Sequence, residues 1–255
     1  MRRWTRAIPG AITLAGMIAT PLARRGGPTR RVLSTIVVSG LFATTAAAAQ
    51  RRWGPTRTAA AAGATTLVTA AVERVGTATG VPFGGYHYTA ALRPQVRGVP
   101  VIVPLAWFAM AVPARETAHR VLGERSNPVR RIVLGAAALT AWDLFLDPQM
   151  VGEGYWKWVR AGRYRGIPVT NFVGWFITGL GVMALLEVLL PPDEGGGADP
   201  ELVGEYAVMA TMETLGFAVF FRDRLVAAMG GAAMLPIAAT AATQALRWRR
   251  RRPRG

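Results

Sequence analysis

The apolar positions of this chain come in long blocks. They run at about 7–22, 32–50, 58–80, 99–122, 129–146, 169–190, 202–221 and 225–246, separated by arginine-rich and Gly/Pro-rich breaks. Each block is close to the ~20 apolar residues that carry a helix across a bilayer. The pattern predicts an all-α, polytopic helical integral membrane protein with eight transmembrane helices, or seven. One transmembrane domain spans 1–246, and a basic tail follows at 247–255. The first block, behind Arg2, Arg3 and Arg6, resembles a signal peptide in outline. It ends in Pro21-Leu22-Ala23-Arg24-Arg25 without a small-residue cleavage pattern, so it reads as a retained span.

The breaks carry their own signals. Gly76 and Gly80 form a G-x-x-x-G pair that permits close helix approach. The loop 81–88 is rich in glycine and aromatics, as at a membrane–water interface. Pro104 and Pro113 predict kinks in the fourth block, whose far end places Arg115, Glu116, His119 and Arg120 at headgroup level. The acidic, Gly-rich stretch 191–200 reads as a flexible linker. No tandem repeat is evident. Arginine is abundant on both sides of an eight-span layout, with a lean toward both tails being cytoplasmic in the inner (plasma) membrane.

Composition sharpens this picture. Of the 255 residues, 51% are hydrophobic and only 17% charged, below the ~25% of soluble domains. The net charge of +16 comes from arginines in the breaks and tails, so the expected partner is membrane lipid and not nucleic acid. Lys157 is the only lysine, and there is no cysteine, which excludes disulfides, thiol catalysis and cysteine-ligated metals.

The richest stretch is 142–175. Asp143 and Asp147 stand four apart in an apolar block and so share one helical face. Carboxylates at membrane depth are functional or paired. A polar aromatic loop follows with Tyr155, Trp156 and Trp158, then Asn171 and Trp175. Each residue also has a plainer reading. Asp147-Pro148 could end a helix, and Asp143 could pair with an arginine. Glu73 could meet a charge on another helix, and Glu213 could pair two helices. His87 and His119 read as interfacial, and Tyr155, Trp156 and Trp158 as an aromatic belt. Asn171 could cap the sixth block or orient a water.

Several motifs in order resemble a known family. They are Glu73-Arg74-Val75-Gly76, then Pro82-Phe83-Gly84-Gly85-Tyr86-His87-Tyr88, then Gly98-Val99-Pro100 through Trp107. Ala141-Trp142-Asp143 through Pro148 follows, then Tyr155-Trp156-Lys157-Trp158 and Gly166-Ile167-Pro168 through Trp175. Over about 73–178 they resemble the CruF-like carotenoid hydratases, which include the bisanhydrobacterioruberin hydratases. The resemblance implies an acyclic carotenoid substrate, addition of water to its terminal double bond to give a tertiary alcohol, and other carotenoid-pathway membrane enzymes as partners.

That chemistry needs a proton donor, a place for a tertiary cation and a water, but no cofactor and no metal. The acid must hold its proton near neutral pH, which apolar burial and a second carboxylate both favour. Asp143 and Asp147 offer both conditions, with Glu73 and Glu213 as further candidates. Phe83, Tyr86, Tyr88, Trp107, Trp142, Trp156, Asn171 and Trp175 are the expected substrate contacts, because aromatic faces steady cations. Two alternatives stand beside this reading. Asp143-x-x-x-Asp147 resembles half of the Mg²⁺-diphosphate site of a membrane prenyltransferase. Kinked helices with buried acids also occur in non-enzymatic lipid or isoprenoid carriers.

Overall fold

The computed structural model describes residues 4–123, 126–192 and 197–251. Every apolar block falls on helix over most of its length. α1 is Trp4–Ala19, followed by a 3₁₀ turn, and α2 is Pro28–Thr79. α3 spans Ile102–Leu122, α4 Pro128–Gly152, α5 Val169–Leu189, α6 Pro200–Leu215 and α7 Arg224–Arg251. Between α6 and α7 the chain winds through a π-helical turn, Gly216–Phe220.

The second and third blocks are joined without a loop. The helix runs through the arginine-rich break, and only Gly54 leaves helical geometry (φ 83°, ψ 167°), with Pro55 after it. Glycine tolerates that left-handed φ, and proline has no N–H to close the ladder, so two helical segments meet at a kink. Among the described residues, four helices are long and apolar enough to cross a membrane: α2, α5, α6 with its π turn, and 224–244 of α7. Their outer faces expose large apolar side chains such as Leu67 (73%) and Val188 (76%), a surface suited to lipid.

α3 lies at the centre. Ala106 to Ala114 are all buried, including Trp107, Phe108 and Met110, so the helix has no polar face to present. α2, α4, α5, α6 and α7 pack around it. Two prolines inside helices leave carbonyls without a ladder partner, and hydroxyls from elsewhere satisfy both. Leu144 O, freed by Pro148, accepts Tyr164 Oη at 2.8 Å. Ala109 O, freed by Pro113, is 2.9 Å from Thr45 Oγ1. With that support α4 continues past Asp147-Pro148 to Gly152, so the aspartate does not end the helix.

Four short strands interrupt the helices. β1 is Tyr86–Tyr88, β2 Gln95–Val96, β3 Val99–Pro100 and β4 Trp156–Trp158. β2 and β3 form a hairpin turning on Arg97 and Gly98, both at positive φ. β1 and β4 pair antiparallel, Tyr86 opposite Trp158 and Tyr88 opposite Trp156. Strand alternation then turns these four rings to one inner face, while His87 and Lys157 point out to solvent. Tyr155 and Trp156, expected in an interfacial belt, are buried.

The far end of α3 also departs from expectation. Arg115 is 1% exposed and Glu116 0%, not spread at headgroup level. Arg115 donates to Glu116 Oε1 (2.7 Å) and Leu190 O (2.5 Å), while Glu187 of α5 takes His119 Nε2 (2.5 Å) and Arg131 (2.8 Å). Glu116 Oε2 accepts the backbone N–H of Asp199, and Arg120 donates to Ala198 O. The network ties α3, α4, α5 and the approach to α6 together, and each charge gains partners in exchange for lost water. Asp199 caps α6 through the N–H groups of Glu201 and Leu202. The rest of the acidic stretch expected to be flexible, 193–196, lies outside the described residues, as does the tail at 252–255.

Candidate active site

The site grows from α4. Trp142, Asp143, Leu146 and Asp147 recur at three- and four-residue spacing, and both carboxyls face the bundle at 0% (Asp143) and 1% (Asp147) exposure. Among the described residues, neither meets an arginine. The Asn171 amide donates to Asp143 Oδ2 at 2.6 Å and to Asp147 Oδ2 at 2.7 Å. One NH₂ group carries two protons, so it serves each carboxyl once. Trp156 Nε1 donates to Asp147 Oδ1 at 2.6 Å, while Asp143 Oδ1 has no hydrogen-bond partner among the described residues. Asn171 is thus the clasp of the acid pair; α5 begins behind Pro168 and has no side-chain cap.

Glycines let the pieces meet. At Gly174 a Cβ would lie 2.8 Å from Pro82 O and from Phe83 Cδ1, so the bare backbone admits the loop before β1. Thr170 Oγ1 donates to Phe83 O (3.1 Å) at the same junction. Gly76 does not bring a second helix close. A Cβ there would lie 2.9 Å from Phe83 Cδ2 and 3.1 Å from Tyr86 Oη, so it makes room for rings. Gly80 ends α2 in the left-handed conformation.

Glu73, buried one turn before Gly76, meets no opposite charge among the described residues. Its Oε2 accepts the hydroxyls of Tyr86 and Tyr88 (2.7 Å for Tyr88), and its Oε1 accepts Trp107 Nε1 at 3.1 Å. Aromatic contacts carry this onward. Trp107 stacks on Trp175 with centroids 3.9 Å apart, and Trp142 meets Trp175 edge-on at 6.1 Å. Tyr88 meets Trp156 at 5.7 Å, and Tyr86 meets Trp158 at 5.2 Å. The two acid centres therefore share one aromatic box.

That box closes part of a largely apolar cavity of about 1540 Å³, counting its open mouth. Of the candidate site residues, Glu73, Tyr86, Tyr88, Trp107, Trp142, Asp147, Trp156, Asn171 and Trp175 all line it. Asp143 and Phe83 do not: Asp143 stands behind Asp147 and Asn171, and Phe83 packs between Gly76 and Gly174. Glu213 of α6 reaches the wall but makes no hydrogen bond with Glu73, Asp143 or Asp147. Sequence reasoning missed the aliphatic wall from α1, α2 and α6, including Met17, Val37, Leu41 and Met209. Nothing but apolarity marks those residues, and nearly every block shares it.

The arrangement is a clasped pair of carboxyls at an aromatic box, opening on a greasy cavity inside an α-helical bundle with membrane-length helices. It suits acid chemistry on an apolar molecule. A family model described as "Carotenoid biosynthesis protein" matches residues 27–244, and the chain belongs to that family, with a CruF-like character. Over 118 residues it is 32% identical to bisanhydrobacterioruberin hydratase of Haloarcula japonica, a stretch covering 46% of this chain and 40% of that protein. The chain thus aligns with about two fifths of the length of this curated relative. No solved structure matches.

Proposed function

We propose that the protein is a carotenoid hydratase that adds water to the terminal double bond of an acyclic carotenoid end group. It carries no cofactor in this scheme, crosses the plasma membrane eight times and admits its substrate from the lipid. The observation that carries the reading is the Asp143–Asn171–Asp147 clasp set against aromatic walls and an apolar cavity. Two carboxyls held by one amide in apolar surroundings are costly to keep doubly ionised, so the pair holds a proton.

Asp147, the member on the cavity, passes that proton to the less substituted carbon of the terminal alkene. The π pair forms the new C–H bond and leaves a tertiary cation on the dimethyl-bearing carbon. The faces of Trp142, Trp175 and Tyr88 steady it. A water oxygen then forms the C–O bond, and the proton it sheds returns to the acid pair, restoring the starting state. Asp143 and Asn171 position Asp147. Glu73 anchors Tyr86, Tyr88 and Trp107 and supplies a second carboxyl to the box. Three of the four oxygens of the D-x-x-x-D pair are engaged by Asn171 and Trp156, which favours an acid pair over a metal–diphosphate clamp.

The test is expression in a host that makes an acyclic carotenoid, followed by chromatography and mass measurement of the pigment. The expected product has gained one water. Unchanged pigment in the presence of folded protein would overturn the proposal.

A further inference from the structure

A second pocket lies behind the cavity and differs from it in character. It is lined mainly by polar atoms, with about 590 Å³ of space counting its mouth. Arg25, Glu153, Arg165, Arg222 and Asp223 surround it. Two residues, Gln149 and Phe221, line both spaces. Gln149 lies two residues past Asp147, and among the described residues its amide has no hydrogen-bond partner, although it can offer two donors and one acceptor. Glu153 adds an independent mark. Its side chain is 2% exposed and ion-paired with Arg30 at 3.0 Å, yet neither carboxylate oxygen accepts a hydrogen bond from the described residues. Buried polar oxygens of this kind, in a polar and roomy space, are where ordered water resides.

We infer that this pocket is the water vestibule of the site, and that Gln149 hands water from it into the aromatic box while Phe221 bars the carotenoid from leaving that way. The assignment rests on the hydratase reading, because a hydratase needs its second substrate delivered into a largely apolar chamber. The ring of Phe221 is held by Phe217 (4.9 Å between centroids) and by the Arg30 guanidinium (5.4 Å). The partition therefore stands on the π-helical turn and α2, outside the acid clasp.

The chain has no cysteine, so a single introduced thiol reports local water directly. Gln149→Cys and Met209→Cys, the latter on the apolar wall, are treated in detergent with a charged, sulfonated thiol reagent. Arginine outnumbers acid around the vestibule, which favours an anionic probe. Gln149→Cys should react on the order of tenfold or more faster than Met209→Cys, following its access to water. The label should then stop hydration while the carotenoid still binds, judged by its absorption spectrum. Phe221→Cys provides the same reading should Gln149→Cys fail to fold. Equal reactivity at 149, 221 and 209, or full hydration after labelling at 149, overturns the vestibule. The labelling rates need no turnover, so they fail separately from the hydratase proposal, which falls if the unmodified protein does not hydrate.

Discussion

Replacing Asn171 with leucine removes the clasp while nearly keeping its volume. The amide makes two bonds, 2.6 Å to Asp143 and 2.7 Å to Asp147, both fully buried. A hydrogen bond to a charged group contributes about 1.5–3 kcal/mol. If the bond to Asp147 is the one that sets its aim at the alkene, its loss raises the barrier by about that amount, a fall of roughly ten- to 150-fold in kcat. KM should change little, because the amide grips the acids rather than the hydrocarbon. Leaving two buried carboxyls with fewer donors also costs stability, about 1–3 kcal/mol. Turnover must therefore be normalised to folded protein, measured by size-exclusion and thermal unfolding in detergent. The assay is the rate of hydroxylated carotenoid formation by purified protein. A folded Asn171→Leu variant working at the parental rate would refute the clasp, and one that loses only affinity would reduce Asn171 to a piece of wall.

Three structural expectations follow from the same contacts. Gly174→Ala presses a methyl against Pro82 O and Phe83 Cδ1, both 2.8 Å from an ideal Cβ, and should cost about 1–3 kcal/mol; an unchanged melting temperature in detergent would show that the loop yields freely. Glu116→Ala strips Arg115 of its closest carboxylate at 1% exposure and should destabilise by about 3 kcal/mol, seen as a lower Tm without a change in pigment product. Tyr164→Phe deprives Leu144 O of its hydroxyl beside Pro148 and should cost about 1 kcal/mol. A Tyr164→Phe protein as stable as the parent would mean that another donor reaches that carbonyl.

Block spacing made the helices legible, since apolar runs of membrane length leave few other options. The four-residue interval of Asp143 and Asp147 likewise foretold a shared face. What the residues did not announce was who holds them. Asn171 sits 28 positions from Asp143, and the choice between a helix cap and a carboxyl clasp depends on how α5 packs on α4. The β1–β4 ribbon was equally hidden, because Tyr86-His87-Tyr88 and Trp156-Lys157-Trp158 read as interfacial aromatics until they pair. Pairing sends alternate rings inward, which is why an expected belt became the wall of a cavity. The charges at 115–120 misled for a related reason. Without Glu187 and the backbone of Leu190, Ala198 and Asp199 in view, exposure to headgroups is the cheaper reading, and those partners lie about 70 or more residues downstream.

The central claim is that a buried carboxyl pair protonates the end of a hydrocarbon and water captures the result. Purified protein given an acyclic carotenoid in heavy water should yield a tertiary alcohol with one deuterium bound to the neighbouring carbon. Asp147→Asn should cut that product by about 10²–10⁴-fold while still binding pigment. An alcohol with no carbon-bound deuterium, or an Asp147→Asn variant that makes it as fast as the parent, would contradict the account.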